Sequence, residues 1–156
     1  MHKKVICLLL IVFTMFSLSG CSDAIVEAIV LFAVITGDDR ADKGEIINYV
    51  CENEEELLKA IDDGDFSKFE NIGFIKEIDT DETVVDFSCG GAGLGSATSY
   101  VGFYYTPNND MSAAWCAPPS GSELTKYGNG FKWQNGDDRY YVEHICGNFY
   151  YYEASF

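Results

Sequence analysis

Apolar and polar residues alternate along the last third of the chain with the two-residue period of half-buried β-strands. Two dipeptides that favour tight hairpin turns, Asn135-Gly136 and Gly147-Asn148, interrupt this alternation. The pattern therefore predicts a C-terminal three-stranded meander, with strands at residues 130–134, 137–146 and 149–155.

The two predicted turns also fix which side chains share a face of the meander. They pair Gln134 with Asp137 and Cys146 with Phe149. The face expected to form the core then holds Phe131, Trp133, Tyr140, Val142, His144, Cys146, Phe149 and Tyr151. The other face, with Tyr141, Ile145, Tyr150 and Tyr152, is unusually aromatic and is either covered by a helix or exposed for binding. Its candidate binding residues are Tyr141, Tyr150 and Tyr152.

Similar alternation predicts further strands in the middle of the chain. Residues 72–78 and 83–89 flank an acidic turn and form a predicted hairpin, and residues 99–106 form another strand. Residues 111–129 contain two prolines and several small residues. They are predicted to form a loop with a short strand at Trp115-Cys116.

The first half of the folded region has a different pattern. Ile46–Cys51 is an apolar run and is predicted to be a strand. Asn53 and Glu56 have capping-box spacing, and the predicted helix at 54–62 ends at Gly64. The sequence thus predicts an α+β domain with an N-terminal strand and a short helix, followed by an antiparallel sheet of about five to six strands.

The first 21 residues have the organisation of an export signal. A basic start precedes an apolar run at residues 5–16, which is too short for a stable membrane span. The next motif, Leu18-Ser19-Gly20-Cys21, resembles the lipobox of bacterial lipoproteins. The resemblance implies a signal peptide at residues 1–20 and a lipid-modified N-terminus at Cys21. The alternative is an ordinary signal peptide with a chance cysteine.

A lipid on Cys21 would anchor the protein without a spanning segment, since buried acyl methylenes contribute roughly 0.8 kcal/mol each. The implied location is the extracytoplasmic side of the cell membrane, or alternatively the periplasmic face of an outer membrane. Residues 24–36 are apolar and favour a helix. The predicted divisions are the signal peptide (1–20), the lipidated N-terminus with the apolar segment and a polar linker (21–44), and one globular domain (45–156).

The charge of the chain excludes several classes of partner. The chain has 25 acidic and 10 basic residues, a net charge of −15, and no acid within residues 1–20. The exported part is therefore even more acidic, which argues against nucleic acid and against adsorption to anionic lipid. Such acidity favours solubility and would steer a cationic partner toward the protein.

Four cysteines remain after Cys7 is removed and Cys21 is acylated: Cys51, Cys89, Cys116 and Cys146. An even number in an oxidising compartment predicts two disulfides, with the pairing left open. Unpaired buried thiols are the main alternative. A zinc site is disfavoured because no CxxC spacing occurs.

Three further patterns carry candidate chemistry. Glycine-rich residues 89–96 lack the lysine of a phosphate loop and predict a bulged or tightly turned crossing of the sheet. Acidic turns at 62–65, 79–81 and 135–138 lack the distal glutamate of a calcium loop, so turn formation is their expected role. His144 is expected to be a hydrogen-bonded core histidine. No metal or cofactor is expected.

Together these patterns predict a lipid-anchored extracytoplasmic binding module with a protein or glycan partner. Small acidic β-rich lipoproteins include inhibitors of cationic lysozymes and toxin-immunity proteins, and Tyr49-Val50-Cys51 resembles the opening of a lysozyme-inhibitor domain. The resemblance implies a cationic protein as partner. The alternatives are a cell-envelope enzyme that uses His144 with a carboxylate, and a structural role in which residues 24–36 dock on a membrane complex.

Overall fold

The computed structural model describes residues 38–81, 83–94 and 97–156. Its elements are α1 (Lys43–Glu52), α2 (Glu54–Asp63), β1 (Glu77–Thr80), β2 (Val85–Leu94), β3 (Ala97–Tyr105), β4 (Thr125–Tyr127), β5 (Gly130–Asn135), β6 (Asp138–His144) and β7 (Phe149–Ser155). The strands form one antiparallel sheet in the order β1-β2-β3-β7-β6-β5-β4. The α+β class is confirmed, with seven strands instead of five to six.

Residues 46–51 were predicted to be a strand, and that prediction is wrong because they belong to α1. The Asp42 side chain caps this helix by accepting two backbone N–H groups of its first turn, at 2.8 and 3.2 Å. Ile46 and Val50 lie one turn apart and are both fully buried. The cap and the buried stripe outweigh the strand preference of the β-branched side chains.

α2 confirms the helix predicted at residues 54–62, but the predicted capping box does not form. Asn53 makes no side-chain cap, and its Nδ2 donates instead to the carbonyl oxygen of Tyr49 at 2.8 Å. Gly64 ends the helix with a left-handed φ of 66°. Leu57 is fully buried and turns the apolar stripe of α2 toward the sheet.

The helices and the turns after them cover one face of the sheet and form the helix-side core. Phe87 on β2 and Phe103 on β3 stack there with ring centroids 4.4 Å apart. Burial of these aromatic and aliphatic side chains is the main force that holds the helices on the sheet. The buried members of the helix-side core are Ile46, Val50, Leu57, Ala60, Phe69, Ile75, Val85, Phe87, Cys89, Val101, Phe103, Phe149 and Tyr151.

Residues 106–124 cover the opposite face of the sheet and pack on it to form the loop-side core. The prediction of a short strand at Trp115-Cys116 is wrong, because these residues belong to a turn. The hydroxyl groups of Tyr104 and Tyr140 donate to carbonyl groups of this loop, each at 3.1 Å. The rings bury apolar surface while the hydroxyls satisfy loop carbonyls. The buried members of this core are Tyr104, Ala114, Cys116, Tyr140, Val142, Tyr150, Tyr152 and Ala154.

The predicted C-terminal meander is present as β5, β6 and β7, but its second turn differs from the prediction. His144 pairs with Tyr150, so the β6–β7 loop spans residues 146–148 and the register slips by one residue. A one-residue slip exchanges the faces of a strand. Tyr151 therefore enters the helix-side core and Tyr152 the loop-side core.

The first turn of the meander is also displaced, with a smaller consequence. Asn135 pairs with Asp138, so the two turn residues are Gly136 and Asp137, and Gly136 has a φ of 61°. A positive φ at the first turn residue is typical of a type II′ hairpin. The change of register is two residues, so the side chains of β5 and β6 keep their predicted faces.

β2 contains a bulge between Ser88 and Gly91, within the glycine-rich segment predicted to be irregular. Gly90 has a φ of 108° there. The chain before α1 packs on this bulge: Ala41 donates its N–H to a β2 carbonyl at 2.9 Å, and the Asp39 carboxylate accepts from the Gly91 N–H at 2.8 Å. Part of the expected linker is thus hydrogen-bonded to the sheet.

Candidate functional site

A cleft of about 540 Å³ opens beside the start of α1, over β5, β6 and β7. The chain has ten lysine and arginine residues, two of which lie in the first four positions. Of the other eight, Arg40, Lys43, Lys132 and Arg139 line this cleft. The cleft is therefore a local concentration of positive charge on a protein of net charge −15. Its aromatic lining consists of Tyr100, Tyr127, Trp133, Tyr140 and Tyr141.

Lys43, Tyr141 and Glu143 form a hydrogen-bonded group at the edge of the cleft. Lys43 Nζ donates to Glu143 Oε2 at 2.5 Å and to the Tyr141 hydroxyl at 3.2 Å, and that hydroxyl donates to Glu143. Lys43 Nζ also lies 4.5 Å from the centroid of the Tyr141 ring. Gly130 leaves space for this ring, because an added Cβ would lie 2.8 Å from Tyr141 Oη. The tyrosine is thereby held in one orientation.

Charge within this group is balanced. Burial disfavours the charged forms of both Lys43 and Glu143, but the hydrogen bonds among the three side chains outweigh it. The pKa of Glu143 therefore lies below its ordinary value and the pKa of Lys43 above it. Both groups are charged at neutral pH, so the uncompensated charge of the cleft comes from other residues.

Lys132 and Arg139 supply that charge. Neither forms an ion pair within the described residues, and both are exposed. Lys132 pairs with Tyr141, so Arg139 is its diagonal neighbour on the same face of the sheet, at a typical spacing of about 7–8 Å. Lys132 Nζ lies 4.4 Å from the ring centroid of Tyr127, which is 58% exposed. Two cations and an accessible ring are thus available to a ligand.

The rim of the cleft carries charges of both signs. Arg40 donates from Nε and Nη2 to the two carboxylate oxygens of Asp38, at 2.8 and 2.6 Å. Glu153 is the acidic residue of the lining, and its Oε1 accepts from the Tyr151 hydroxyl at 2.8 Å. The positive character of the cleft is therefore concentrated on β5 and β6.

The structure separates the three tyrosines predicted to bind a ligand. Tyr141 lines the cleft. Tyr150 and Tyr152 are 3% and 0% exposed in the loop-side core, where their hydroxyls bond to Asn109 and, at 2.9 Å, to Asp86. The aromatic face is thus divided between a covered core and the cleft.

The cations of the cleft are not marked by any motif in the sequence. The predicted pairing of Gln134 with Asp137 would set Lys132 opposite Arg139, and this pairing of two cations was the available signal. Arg40 and Lys43 are about ninety residues away in the chain. No local pattern indicates that they meet β6, because only the sheet order brings them there.

His144 was expected in the core, but it lies exposed at the end of β6. Its Nε2 is 2.8 Å from the carbonyl oxygen of Gly147, and its ring packs edge-on against Tyr150. It does not line the cleft. Among the residues that the structure describes, no carboxylate forms a hydrogen bond or ion pair with His144, so no catalytic pair of the expected kind is present there.

The four predicted disulfide cysteines are thiols in the structure. Cys89 lies in the helix-side core and Cys116 in the loop-side core, so the sheet separates them. Cys146 lies beside Cys51 at the end of α1. Burial, together with Cys51 and Glu54, raises the pKa of Cys146 to about 12.

An independent contact supports the proximity of Cys51 and Cys146. An added Cβ at Gly147, the residue after Cys146, would overlap the carboxylate of Glu54. Glu54 follows Cys51 by three residues across the junction of the two helices. The β6–β7 loop therefore packs on this junction, where both thiols lie.

We expect exposure to an oxidised dithiol reagent to produce one disulfide, Cys51–Cys146, by thiol–disulfide exchange that reduces the reagent. Cys89 and Cys116 are expected to stay reduced, because they are buried on opposite faces of the sheet. Peptide mapping without reduction checks this result. A bridge that involves Cys89 or Cys116, or four free thiols after oxidation, would contradict it.

Two of the three acidic turns bond their own backbone, as expected from the sequence. Asp81 Oδ1 accepts from the N–H groups of Thr83 and Val84 at 2.7 and 2.9 Å, and Asp65 accepts from Ser67 N–H at 3.1 Å. Within the described ranges, no group of three or more His, Cys, Asp or Glu side chains could hold a metal ion.

The predicted signal peptide, Cys21 and the apolar segment 24–36 lie outside the described residues. In the part that is described, no helix is both long and apolar enough to cross a membrane. Comparisons with protein-family models, with curated proteins and with solved structures found no match.

Proposed function

We propose that this protein is a lipid-anchored extracytoplasmic binding protein whose cleft takes an acidic saccharide. The observation that carries the proposal is the meeting of Lys132, Arg139 and exposed Tyr127 in one cleft of a strongly acidic protein. The lipobox-like motif at Cys21 supports export and anchoring. The rest of the acidic surface would repel anionic ligands that do not fit the cleft.

The chemistry of the cleft favours an acidic sugar over a simple anion. Arg139 can bind a carboxylate or phosphate through two parallel hydrogen bonds, and Lys132 adds a point charge. Tyr127 and Tyr141 offer ring faces for the apolar side of a sugar, while Gln134 and Ser155 offer hydrogen-bonding groups. A small inorganic anion would use the charges but leave the rings unused.

Neutralising the two unpaired cations tests the cleft. We expect Lys132→Gln combined with Arg139→Gln to weaken binding of a galacturonate trimer at least tenfold, since each lost charge-assisted hydrogen bond costs about 1.5–3 kcal/mol. The control is Lys59→Gln with Lys68→Gln, which removes the same charge from exposed ion pairs of α2 and its following turn. Calorimetric titration gives the affinities.

Three results would refute the saccharide proposal. The wild-type protein could fail to bind the trimer, the control variant could lose affinity as strongly as the cleft variant, or a neutral maltotriose could bind as tightly. Tighter binding of inorganic phosphate than of the trimer would likewise remove the role assigned to the rings.

The anchor is tested separately at Cys21. We expect protein isolated from the producing cell to begin at Cys21, to carry acyl chains and to partition into detergent. Cys21→Ser is expected to leave it unacylated, because the thiol is the acceptor that the lipobox resemblance implies. Intact-mass measurement checks this. A wild-type protein cut at another residue, or without acyl mass, would remove the lipoprotein part of the proposal.

A further inference from the structure

A second cavity, of about 290 Å³, lies at the β1–β2 end of the sheet. Its lining combines three carboxylates with two aromatic rings: Glu77, Asp79, Asp86, Ser88, Tyr100 and Trp115. Asp79 pairs directly with Asp86, and Glu77 pairs with Ser88, so these four side chains share one face. The cavity has the opposite charge to the cleft.

Asp86 is the central group of this acidic pocket. The residue is 7% exposed, and its Oδ1 accepts from the Tyr152 hydroxyl at 2.9 Å. Its Oδ2 is buried and has no hydrogen-bond partner among the described residues. A buried carboxylate oxygen without a donor is costly, and structures normally supply one. A ligand that donates to Oδ2 would remove that cost.

The aromatic residues of the pocket favour a cationic donor. Trp115 and Tyr100 pack edge to face with centroids 5.2 Å apart, and Trp115 Nε1 donates to the Tyr152 hydroxyl at 3.3 Å. Trp115 is nevertheless 58% exposed, so much of the indole is accessible at the mouth. Indole faces attract ammonium and guanidinium groups, and such groups also pair with carboxylates.

We propose that the acidic pocket binds a guanidinium or ammonium group, which donates to Asp86 Oδ2 and stacks on Trp115. Glu77 and Asp79 add negative charge at the mouth. This site goes beyond the saccharide cleft and gives the protein a second ligand of opposite charge. The cation comes either from a small amine or from a lysine or arginine side chain of a partner protein.

The test uses a blocked arginine, N-acetyl-arginine methylamide, and its neutral isostere, the corresponding citrulline derivative. The protein has two tryptophans, so Trp133→Phe leaves Trp115 as the fluorescent reporter. We expect saturable quenching by the arginine derivative at pH 8 and at least tenfold weaker binding of the citrulline derivative.

A peptide distinguishes the two sources of the cation. A Gly-Ser-Arg-Ser-Gly peptide that binds tenfold tighter than the blocked arginine assigns the cation to a protein partner. Equal affinity of the peptide and the blocked arginine assigns it to a small amine.

Variants distinguish binding in the acidic pocket from general attraction of a cation to the acidic protein surface. Asp86→Asn is expected to lower the affinity for the arginine derivative at least tenfold, whereas Asp62→Asn, the same change on exposed α2, leaves it within twofold. Lys132→Gln with Arg139→Gln is expected to leave it unchanged as well, which distinguishes this site from the cleft. Equal binding of arginine and citrulline derivatives, or unchanged affinity in a folded Asp86→Asn protein, overturns the proposal.

Discussion

Replacement of Gly90 with alanine is expected to lower the free energy of unfolding by about 2–4 kcal/mol. Gly90 has a φ of 108°, a conformation that costs other residues about 1–3 kcal/mol. An added Cβ would also overlap the carbonyl oxygen of Asp39 and lie 2.8 Å from its carbon. The segment at residues 39–41 would have to leave the bulge, with loss of its hydrogen bonds to β2.

Gly73→Ala is the matched control for this prediction. Nothing lies within 4 Å of a Cβ at Gly73, and its φ is outside the left-handed range. We expect stability there to stay the same or to rise by up to about 1 kcal/mol. Urea denaturation of both variants checks the pair. Equal stability of Gly90→Ala and the wild type would show that residues 39–41 do not pack on the bulge.

Asp86→Asn is expected to stabilise the protein at pH 8 by roughly 2–4 kcal/mol. Burial raises the pKa of Asp86 to about 7, and the Tyr152 hydroxyl offsets only part of this effect. Between its ordinary pKa of 3.8 and about 7, the folded protein holds a proton that the unfolded chain has released. The contribution of Asp86 to stability is therefore full below pH 3.8 and is lost as the pH rises through 7.

Comparing the wild type with Asp86→Asn across pH isolates this one group. The difference in the free energy of unfolding is expected to be near zero at pH 4 and to reach its full size by pH 8. Tyr152 can still donate to the Oδ1 of asparagine, so the hydrogen bond is kept. A difference that is constant between pH 4 and 8 would mean that Asp86 ionises normally.

The C-terminal half of the fold was predictable because local signals are strong there. Alternation of apolar and polar residues located β5, β6 and β7 within three residues of their observed ends. The register of the β6–β7 hairpin was not predictable from Gly147-Asn148. The same dipeptide fits both the predicted two-residue turn and the three-residue loop that the chain forms at 146–148. That single slip decided which tyrosines are covered.

α1 was missed for a different reason. Ile46, Ile47 and Val50 favour strands by propensity, whereas the helix depends on its cap and its tertiary contacts. Asp42 followed by Glu45 has capping-box spacing and was the available signal. It places the helix start two residues before the expected domain boundary.

The cleft could not be predicted, because its parts are joined only by topology. β7 inserts between β3 and β6, which brings Ser99 and Ser155 beside Arg139. α1 then places Lys43 against Tyr141 and Glu143, across about one hundred residues of sequence. The acidic pocket is similar, because β1, β2, β3 and the covering loop contribute its side chains.

The most direct test of the binding function is a titration of the full chain with the galacturonate trimer. Two-dimensional NMR follows the amide shifts of residues 38–156 during this titration. Saturable shifts are predicted for Tyr127, Lys132, Arg139 and Tyr141, with the amides of α2 unmoved. No saturable shift, or shifts that avoid β5 and β6, would contradict the assignment of this cleft as the ligand site.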